Sequence, residues 1–383
     1  MLLLLALLSG VSYLFYLYSK RRQRQKELRD VIARRLRERE DSIALAEKSA
    51  AEVNPKRREE IAAWSFQELR ENLQKGAATC LEVVRTYQWK AVLAHKKTNC
   101  ATLFIKVEAE RWAADWDAKA AQPGFKRPAF FGIPISLKEC IPLDGYDTTR
   151  GFAQDVGNPS KSDSVLVQQI KLLGQYFPLL GSGIRFIPFV QTNVPQSLLS
   201  YSCGNPVYGT TNTPEDIART SGGSSGGEAA LLAADGSVIG IGGDVGGSIR
   251  IPCHFTGTAG MKPSHLRFSH RGVPGAVPGR PLINANEGPM TKDIQTSVDF
   301  LKEEAERWAA DWDAKAAQPG FKRPAFFGIP ISLKECIPLD GYDTTRGFAQ
   351  DVGNPSKSDS VLVQQIKLLG QYFPLLGSGV REC

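Results

Sequence analysis

The chain has 383 residues, of which 42% are hydrophobic, and it carries a formal net charge of +7 at pH 7. This composition indicates an ordinary globular protein of one large or two medium domains with a sizeable core. The charge does not indicate nucleic-acid binding, because residues 20–39 hold ten basic and three acidic residues and the rest carries 37 of each sign. A nucleic-acid-binding domain needs a basic patch on its surface. The remaining sequence predicts none, so we expect no nucleic-acid partner.

The chain begins with an apolar stretch. Leu2–Tyr18 has no charged residue, and as a helix it would be roughly 26 Å long, against about 30 Å for the hydrocarbon core of a bilayer. A cleaved signal peptide is the alternative, but here the basic cluster follows the apolar run and no small-residue cleavage site is evident. The tyrosines near the end of this stretch suit the headgroup region of a bilayer. The cations from Lys20 onward favour a cytosolic location for the C-terminal side of the helix. We predict a single-pass anchor over residues 1–19, with the domain on the cytosolic side of an endomembrane such as the endoplasmic reticulum.

Helices are expected after the anchor. Gln23–Ala51 carries charges at helical spacing, which predicts a solvated or membrane-skirting helix. Two capping boxes follow, Ser65-x-x-Glu68 and Thr79-x-x-Glu82, and a glycine lies between them. They predict a helical hairpin over residues 65–75 and 79–94.

From residue 130 onward the predicted elements alternate. An apolar run that ends at Lys138 predicts a buried strand, and Asp163–Leu173 predicts a helix that ends before Gly174. Phe189–Thr192 predicts a second strand. This alternation predicts an α/β fold with a mixed, mostly parallel sheet covered by helices.

The stretch 221–252 is rich in glycine and serine, in the clusters GGSSGG at 222–227 and GGDVGGS at 242–248. Such runs are commonly flexible linkers. Here, however, a predicted helix over 228–234 begins at the first cluster, and a predicted strand over 237–243 leads into the second. Glycines let backbone N–H groups approach a ligand, so the clusters predict a serine nucleophile beside donors for an oxyanion, as acyl transfer requires.

These blocks resemble the amidase signature family and, within it, the vertebrate fatty-acid amide hydrolases. The resemblance rests on GGSSGGEAAL and GDVGGSIRIP, and on PISLKEC at 134–140 and TNVPQS at 192–197, in the family's order. It implies a Ser-Ser-Lys triad: Ser248 is the nucleophile, Ser224 follows a cis peptide bond and relays a proton, and Lys138 is the base. It also implies a lipid amide substrate. A lysine is a base only when neutral, which burial in an apolar strand favours.

The resemblance also implies which residues surround the triad. The implied oxyanion hole consists of the backbone N–H groups of Val245, Gly246, Gly247 and Ser248. The groups implied to hold this loop are Asp244, Arg250 and Ser225. The residues implied to contact the acyl chain are Leu198, Leu199 and Tyr201, for which a plain core role is equally compatible.

Two other functions are compatible with the sequence. The pattern Gly222-x-Ser224-x-Gly226 matches the nucleophile elbow of esterases, in which Ser224 would need a partner histidine. An elbow follows a strand, however, and residues 215–220 are polar. The second alternative is a noncatalytic membrane-anchored fragment, because the family's strands, helices and acyl channel that follow residues 288–290 are not recognisable.

The sequence predicts neither a metal nor a cofactor. Its seven cysteines lack Cys-x-x-Cys spacing, and its four histidines lack ligand spacing. Reduced thiols are therefore expected rather than zinc sites or disulfides. The sequence leaves the oligomeric state open, and a homodimer is compatible with it.

An internal repeat marks the C-terminal boundary of the predicted amidase signature domain. Residues 108–183 recur unchanged as residues 304–379, a length of 76 residues. Solenoid repeats are shorter and diverge, so this copy indicates a recent duplication or a faulty gene model. Residues 175–185 also look inserted.

We divide the chain into an anchor (1–19), a basic helical region (20–60), an amidase signature domain (61–303) and the copy (304–383). Lys138 precedes both serines, so we expect it, rather than Lys334 of the copy, to lie beside them.

Overall fold

The computed structural model describes residues 2–172, 186–263, 268, 270–275, 285–300 and 357, and for residues 2–8, 169 and 172 it describes the backbone alone. The predicted insert at 175–185 lies outside these residues. The second copy, 304–383, also lies outside them apart from residue 357, and Lys334 is therefore among the residues that the structure does not describe.

Helices dominate the N-terminal part of the described chain. They are α1 (Leu2–Ala50), α2 (Pro55–Ala63), α3 (Phe66–Lys75), α4 (Cys80–Thr98), α5 (Lys106–Ala120), α6 (Val165–Leu172), α7 (Gly226–Ala233) and α8 (Arg250–Thr256), followed by a helical segment over 294–300. Both predicted capping boxes are formed, at the N-termini of α3 and α4. Gly76 ends α3 in the left-handed conformation, with φ of 74°. The two predicted helices and the glycine break between them are confirmed, and α4 runs on to Thr98 rather than Ala94.

The strands form one main sheet and one small ribbon. They are β1 (Ala101–Phe104), β2 (Pro134–Lys138), β3 (Ile187–Thr192), β4 (Gly204–Asn205), β5 (Gly209–Thr210), β6 (Ile239–Asp244), β7 (Ala259–Gly260) and β8 (Asn286–Thr291). The main sheet has the order β1-β3-β2-β6-β8-β7, and β4 pairs with β5. The strands predicted at Lys138, at 189–192 and at 237–243 are confirmed as β2, β3 and β6.

The sheet is mixed, as predicted, but the prediction of mostly parallel pairing was wrong for the described strands. Two pairings, β2 with β3 and β2 with β6, are parallel, while three pairings, β1 with β3, β6 with β8 and β7 with β8, are antiparallel. Parallel neighbours need a crossover connection, which α6 and α7 supply between these three strands. The three parallel strands form the centre of the sheet, and β2 lies between the other two.

Helix α1 joins the predicted anchor and the predicted basic region in one helix of 49 residues. We expected a solvated or membrane-skirting helix here, but the C-terminal half of α1 packs on the domain. Ile43 and Ala46 belong to the main core, and the buried Arg35 pairs with Asp147. In the described part of the chain, no helix combines the length and the apolarity needed to cross a membrane. The predicted anchor falls partly outside the described side chains, which begin at residue 9.

The main core lies between the sheet and the N-terminal helices. Helix α4 packs against α1, α5 and β3, and its fully buried Tyr87 meets Phe189 of β3 edge-on, with ring centroids 6.4 Å apart. His95, near the end of the same helix, accepts a hydrogen bond from the N–H of Ala101 at 3.1 Å. These contacts fix α4 across β1 and β3, and so hold one edge of the sheet that carries Lys138.

A buried glutamate ties helix α7 to the sheet. Glu228 is fully buried and accepts hydrogen bonds from the hydroxyls of Ser136 at 2.7 Å and Thr192 at 2.9 Å. Burial raises the pKa of the Glu228 carboxyl to about 8, although both hydroxyls and the charge of Lys138 act in the opposite direction. Helix α7 is thereby fastened to β2 and β3, so the loop before it has a fixed position.

We predict that Glu228→Gln flattens the pH dependence of stability. The folded carboxyl holds its proton up to about pH 8, whereas its ordinary pKa is 4.5. Between these values the folded state binds the extra proton, so the free energy of unfolding falls as pH rises. The measurement is chemical denaturation from pH 5 to 8. Glu71→Gln, on the exposed face of α3, should keep the wild-type slope, and an unchanged slope in Glu228→Gln would contradict the prediction.

Candidate active site

Lys138 lies at the carboxyl end of β2, in the middle of the sheet. It is 2% exposed, and its Nζ donates hydrogen bonds to Ser224 Oγ at 2.9 Å and to the carbonyl oxygen of Gly243 at 3.0 Å. A buried amine needs such partners, because an unpaired one would carry a large desolvation cost. The strand thus delivers a nearly water-free amine to the hydroxyl of Ser224, as the resemblance implied.

Ser224 lies in the tight loop that precedes α7. The peptide bond between Gly223 and Ser224 is cis, as predicted. The segment 215–220 before this loop forms no strand. A nucleophile elbow is therefore absent here, and Ser224 presents its hydroxyl to Lys138 instead.

Ser225 connects the two serine clusters. Its N–H donates to the carbonyl oxygen of Ser248 at 3.0 Å. Its Oγ accepts from the N–H of Gly243 at 3.2 Å and donates to the carbonyl oxygen of Gly243 at 3.3 Å. These bonds hold the loop before α7 against the end of β6 and the start of α8. Ser225 thus contacts the end of β6 and the backbone of Ser248, on the loop that the resemblance implies it helps to hold.

Asp244 organises the loop that carries Ser248. Its carboxylate accepts from the N–H groups of Gly247 at 2.7 Å, Ile249 at 3.0 Å and Arg250 at 3.3 Å, and also twice from the Arg250 guanidinium at 3.0 Å. Burial acts to raise the pKa of Asp244, but the bonds from Arg250 and the backbone lower it to about 2. Asp244 and Arg250 therefore hold this loop, as predicted.

The predicted oxyanion hole needs one correction. The N–H of Gly247 donates to Asp244, because the loop curls back over that carboxylate with Gly247 at φ of 121°. This N–H is therefore already used inside the protein. In the described residues, no hydrogen bond occupies the N–H groups of the three others, Val245, Gly246 and Ser248.

One cavity of about 280 Å³ connects these groups. Lys138, Ser224 and Ser248 all line it, and so do the three residues predicted to contact an acyl chain, Leu198, Leu199 and Tyr201. Leu199 and Tyr201 are each 64% exposed, so they lie at the opening of the cavity and not in the core. A larger cavity of about 460 Å³, beside α8, contains none of the three predicted triad residues.

Three ionisable residues of the cavity wall were not predicted. Cys140, His270 and Glu287 also line it, and His270 Nδ1 lies 2.8 Å and 2.9 Å from the two carboxylate oxygens of Glu287. These two residues are 17 positions apart and belong to no local motif. Only the pairing of β8 with β6 places Glu287 opposite Gly243, beside the site.

The comparisons with known proteins identify the family. The amidase family model matches residues 82–303 and again 295–373. The chain belongs to the amidase family. The second match includes most of the repeated sequence, so the chain carries two copies of one part of the family domain. The resemblance inferred from the serine blocks is thereby confirmed.

Relatives of this amidase include fatty-acid amide hydrolases. Fatty acid amide hydrolase 1 of Caenorhabditis elegans is 50% identical over 300 residues, which cover 78% of this chain and 50% of that protein. Fatty-acid amide hydrolase 1 of Sus scrofa is 38% identical over 239 residues, 62% of this chain and 38% of that protein. The chain therefore spans about half the length or less of these relatives.

Solved structures agree on the fold. A structure of fatty acid amide hydrolase has a TM-score of 0.63 and 24% identity, and the match covers 84% of this chain and 59% of that one. A bacterial aryl acylamidase of the amidase signature family has a TM-score of 0.52 and 25% identity, and the match covers 61% of this chain and 46% of that one. The mixed sheet with its helices is thus the fold of this family.

We predict that Asp244→Asn destabilises the amidase more than Arg250→Ala does. The first change removes an ionised acceptor from three backbone N–H groups, at about 1–3 kcal/mol. The second removes a side chain that is 56% exposed, and such surface pairs contribute about 0–1 kcal/mol. Denaturation midpoints at pH 7 of the two variants and the wild type provide the comparison. Equal losses would mean that the ion pair, and not the backbone bonds, holds the loop.

Proposed function

We propose that this amidase is a serine hydrolase that cleaves lipid amides through an acyl-enzyme on Ser248. The observation that carries the proposal is the 2.9 Å hydrogen bond from the buried Lys138 amine to Ser224 Oγ, in a cavity that Ser248 also lines. A neutral amine, a relaying hydroxyl and a second hydroxyl form the chain of groups that activates a serine. The backbone bond between Ser225 and Ser248 holds the two serines in one unit.

In the proposed acylation step, Lys138 takes the proton of Ser224 while Ser224 takes that of Ser248. The Ser248 oxygen attacks the amide carbonyl carbon. The proton then returns through Ser224 to the departing nitrogen, which leaves as the free amine. Water, deprotonated along the same path, hydrolyses the resulting ester and releases the fatty acid.

The N–H groups at the start of α8 are proposed to stabilise the oxyanion. Val245, Gly246 and Ser248 supply the N–H groups, while Gly247 acts through its bond to Asp244, which fixes the shape of the loop. Preorganised donors of this kind stabilise a transition state because they need no rearrangement during the reaction. Asp244 and Arg250 thus contribute by positioning the loop.

A lipid amide is the proposed substrate class. Two observations support it: the relatives named fatty-acid amide hydrolase, and a cavity lined by Leu198, Leu199 and Tyr201. Because the chain spans about half of those relatives, the activity of the whole relative is a proposal for this chain. A noncatalytic anchored fragment is the alternative.

We predict that a fluorophosphonate labels Ser248 and that Ser248→Ala removes both labelling and amide hydrolysis. Ser224→Ala should slow hydrolysis by about 10²–10⁴-fold and leave a measurable remainder, because Ser224 only relays protons. Lys138→Ala in the otherwise unchanged chain should abolish amide hydrolysis. Mass spectrometry of the labelled peptide provides the measurement, and Ser162→Ala, at an exposed loop position, is the control.

The alternatives give different labelling results. A label on Ser224 would indicate an esterase of another type. The absence of any labelled serine would indicate the noncatalytic fragment. Equal residual rates in Ser248→Ala and Ser224→Ala would contradict the division of roles between the two serines.

We also propose that the N-terminal part of α1 attaches the amidase to a membrane, with the domain on the cytosolic side. The side chains at positions 11 and 13–18 are apolar or aromatic and are 42–70% exposed. Basic residues follow directly, beginning with Lys20. A helix with this order of residues combines apolar insertion with attraction to anionic lipid.

We predict that deletion of residues 2–19 moves the amidase from the membrane pellet into the supernatant at high salt. At low salt, the basic residues of α1 should retain part of the protein on anionic vesicles. Sedimentation with vesicles, with and without 1 M salt, measures this difference. A truncated chain that pellets completely at high salt would show that another segment anchors it.

A further inference from the structure

A carboxylate lies in the wall of the proposed active-site cavity. Glu287, on β8, is 2% exposed and lines the cavity together with Ser248 and Lys138. Among the described residues, its only basic partner within 4 Å is His270. A buried carboxylate with a single imidazole partner is only partly compensated.

The space in front of this carboxylate is open because β6 has a glycine there. Gly243 pairs directly with Glu287 across the two strands. A side-chain carbon placed on Gly243 would lie 3.5 Å from Glu287 Oε1 and 3.7 Å from Lys138 Nζ. The Glu287 carboxyl group and the Lys138 amine therefore face the same small volume, which no side chain of β6 fills.

The pair of Glu287 and His270 leaves spare acceptor capacity. An ionised carboxylate only accepts hydrogen bonds, so Nδ1 of His270 must carry the hydrogen that it shares with both oxygens. A carboxylate has about four lone-pair sites, and this contact occupies two of them. When Lys138 acts as a neutral base, no permanent cation is left beside Glu287 in the described part of the cavity.

We propose that Glu287, oriented by His270, binds a cationic group of the substrate close to the scissile amide. The preferred substrates are then acyl amides whose amine part carries a second, protonated nitrogen, such as mono-acylated diamines. Amides with a carboxylate at the same place are rejected by like-charge repulsion. This inference rests on the proposed function, because it needs Lys138 to be neutral and the amide to lie at Ser248.

The test compares three ligands that have the same fatty acyl chain. They are the N-(2-aminoethyl), N-(2-hydroxyethyl) and N-carboxymethyl amides, which place a cation, a neutral group or an anion at similar distances from the amide. Their dissociation constants are measured by calorimetry at pH 7 on the full chain carrying Ser248→Ala, so that no turnover occurs. We expect the cationic ligand to bind at least about tenfold more tightly than the neutral one, and the anionic ligand to bind most weakly.

A second substitution, added to Ser248→Ala, identifies the residue responsible. Glu287→Gln keeps the shape and removes the charge, so it should bring the cationic and neutral ligands to within about twofold of each other. Glu71→Gln makes the same change on the exposed face of α3, outside the cavity, and should keep the tenfold ratio.

Equal affinities in the parent, or a preference for the anion, would overturn the inference. The absence of binding for all three ligands would overturn it too. Labelling of Ser248 by fluorophosphonate is independent of these ligands. A labelled Ser248 together with any of these results would refute the cation site alone and leave the proposed function standing.

Discussion

The burial of one amine constrains the centre of this structure. Lys138 ends in the interior with three N–H donors, or two when neutral, and it finds acceptors on two different elements, the loop of Ser224 and the end of β6. Both acceptors must be held rigidly, since a displaced partner would leave a buried amine unpaired. Ser225 provides this rigidity by bonding to Gly243 and to Ser248. The buried lysine thus depends on the same contacts that set the distance between the serine clusters.

Glycine on β6 is the second requirement. A side-chain carbon on Gly240 would lie 2.1 Å from Glu228 Oε2 and 2.5 Å from Ser136 Oγ, so any larger residue would break the bond that fastens α7 to β2. At Gly243 the missing side chain leaves room for Lys138 and Glu287 instead. A central strand with these glycines loses packing and backbone entropy. Its neighbours compensate, because β2 and β8 bury apolar side chains such as Leu137 and Met290.

Features coded by adjacent residues were predictable from the sequence, and features coded by strand pairing were not. The capping boxes at Ser65 and Thr79 predicted the N-termini of two helices, because each box lies within four residues. The serine blocks and the 134–140 block are local in the same way, and the three residues that they indicated, Lys138, Ser224 and Ser248, line one cavity. The share of parallel pairing in the mixed sheet was overestimated, because the apolar runs of β2 and β3 carry no information about the antiparallel strands beside them. The use of the Gly247 N–H also depends on how the loop turns back, which no local pattern specifies.

Two carboxylates near the cavity show how surroundings, and not residue type, determine a role. Asp244 accepts from three backbone N–H groups and from a permanent cation, so its pKa falls to about 2 and its lone pairs are occupied within the loop. Glu287 is buried as well, yet it meets one imidazole and the empty side of a glycine. Full compensation makes the first group part of the scaffold. Partial compensation leaves the second able to accept from a molecule in the cavity, because a buried charge gains most from the partner that it lacks.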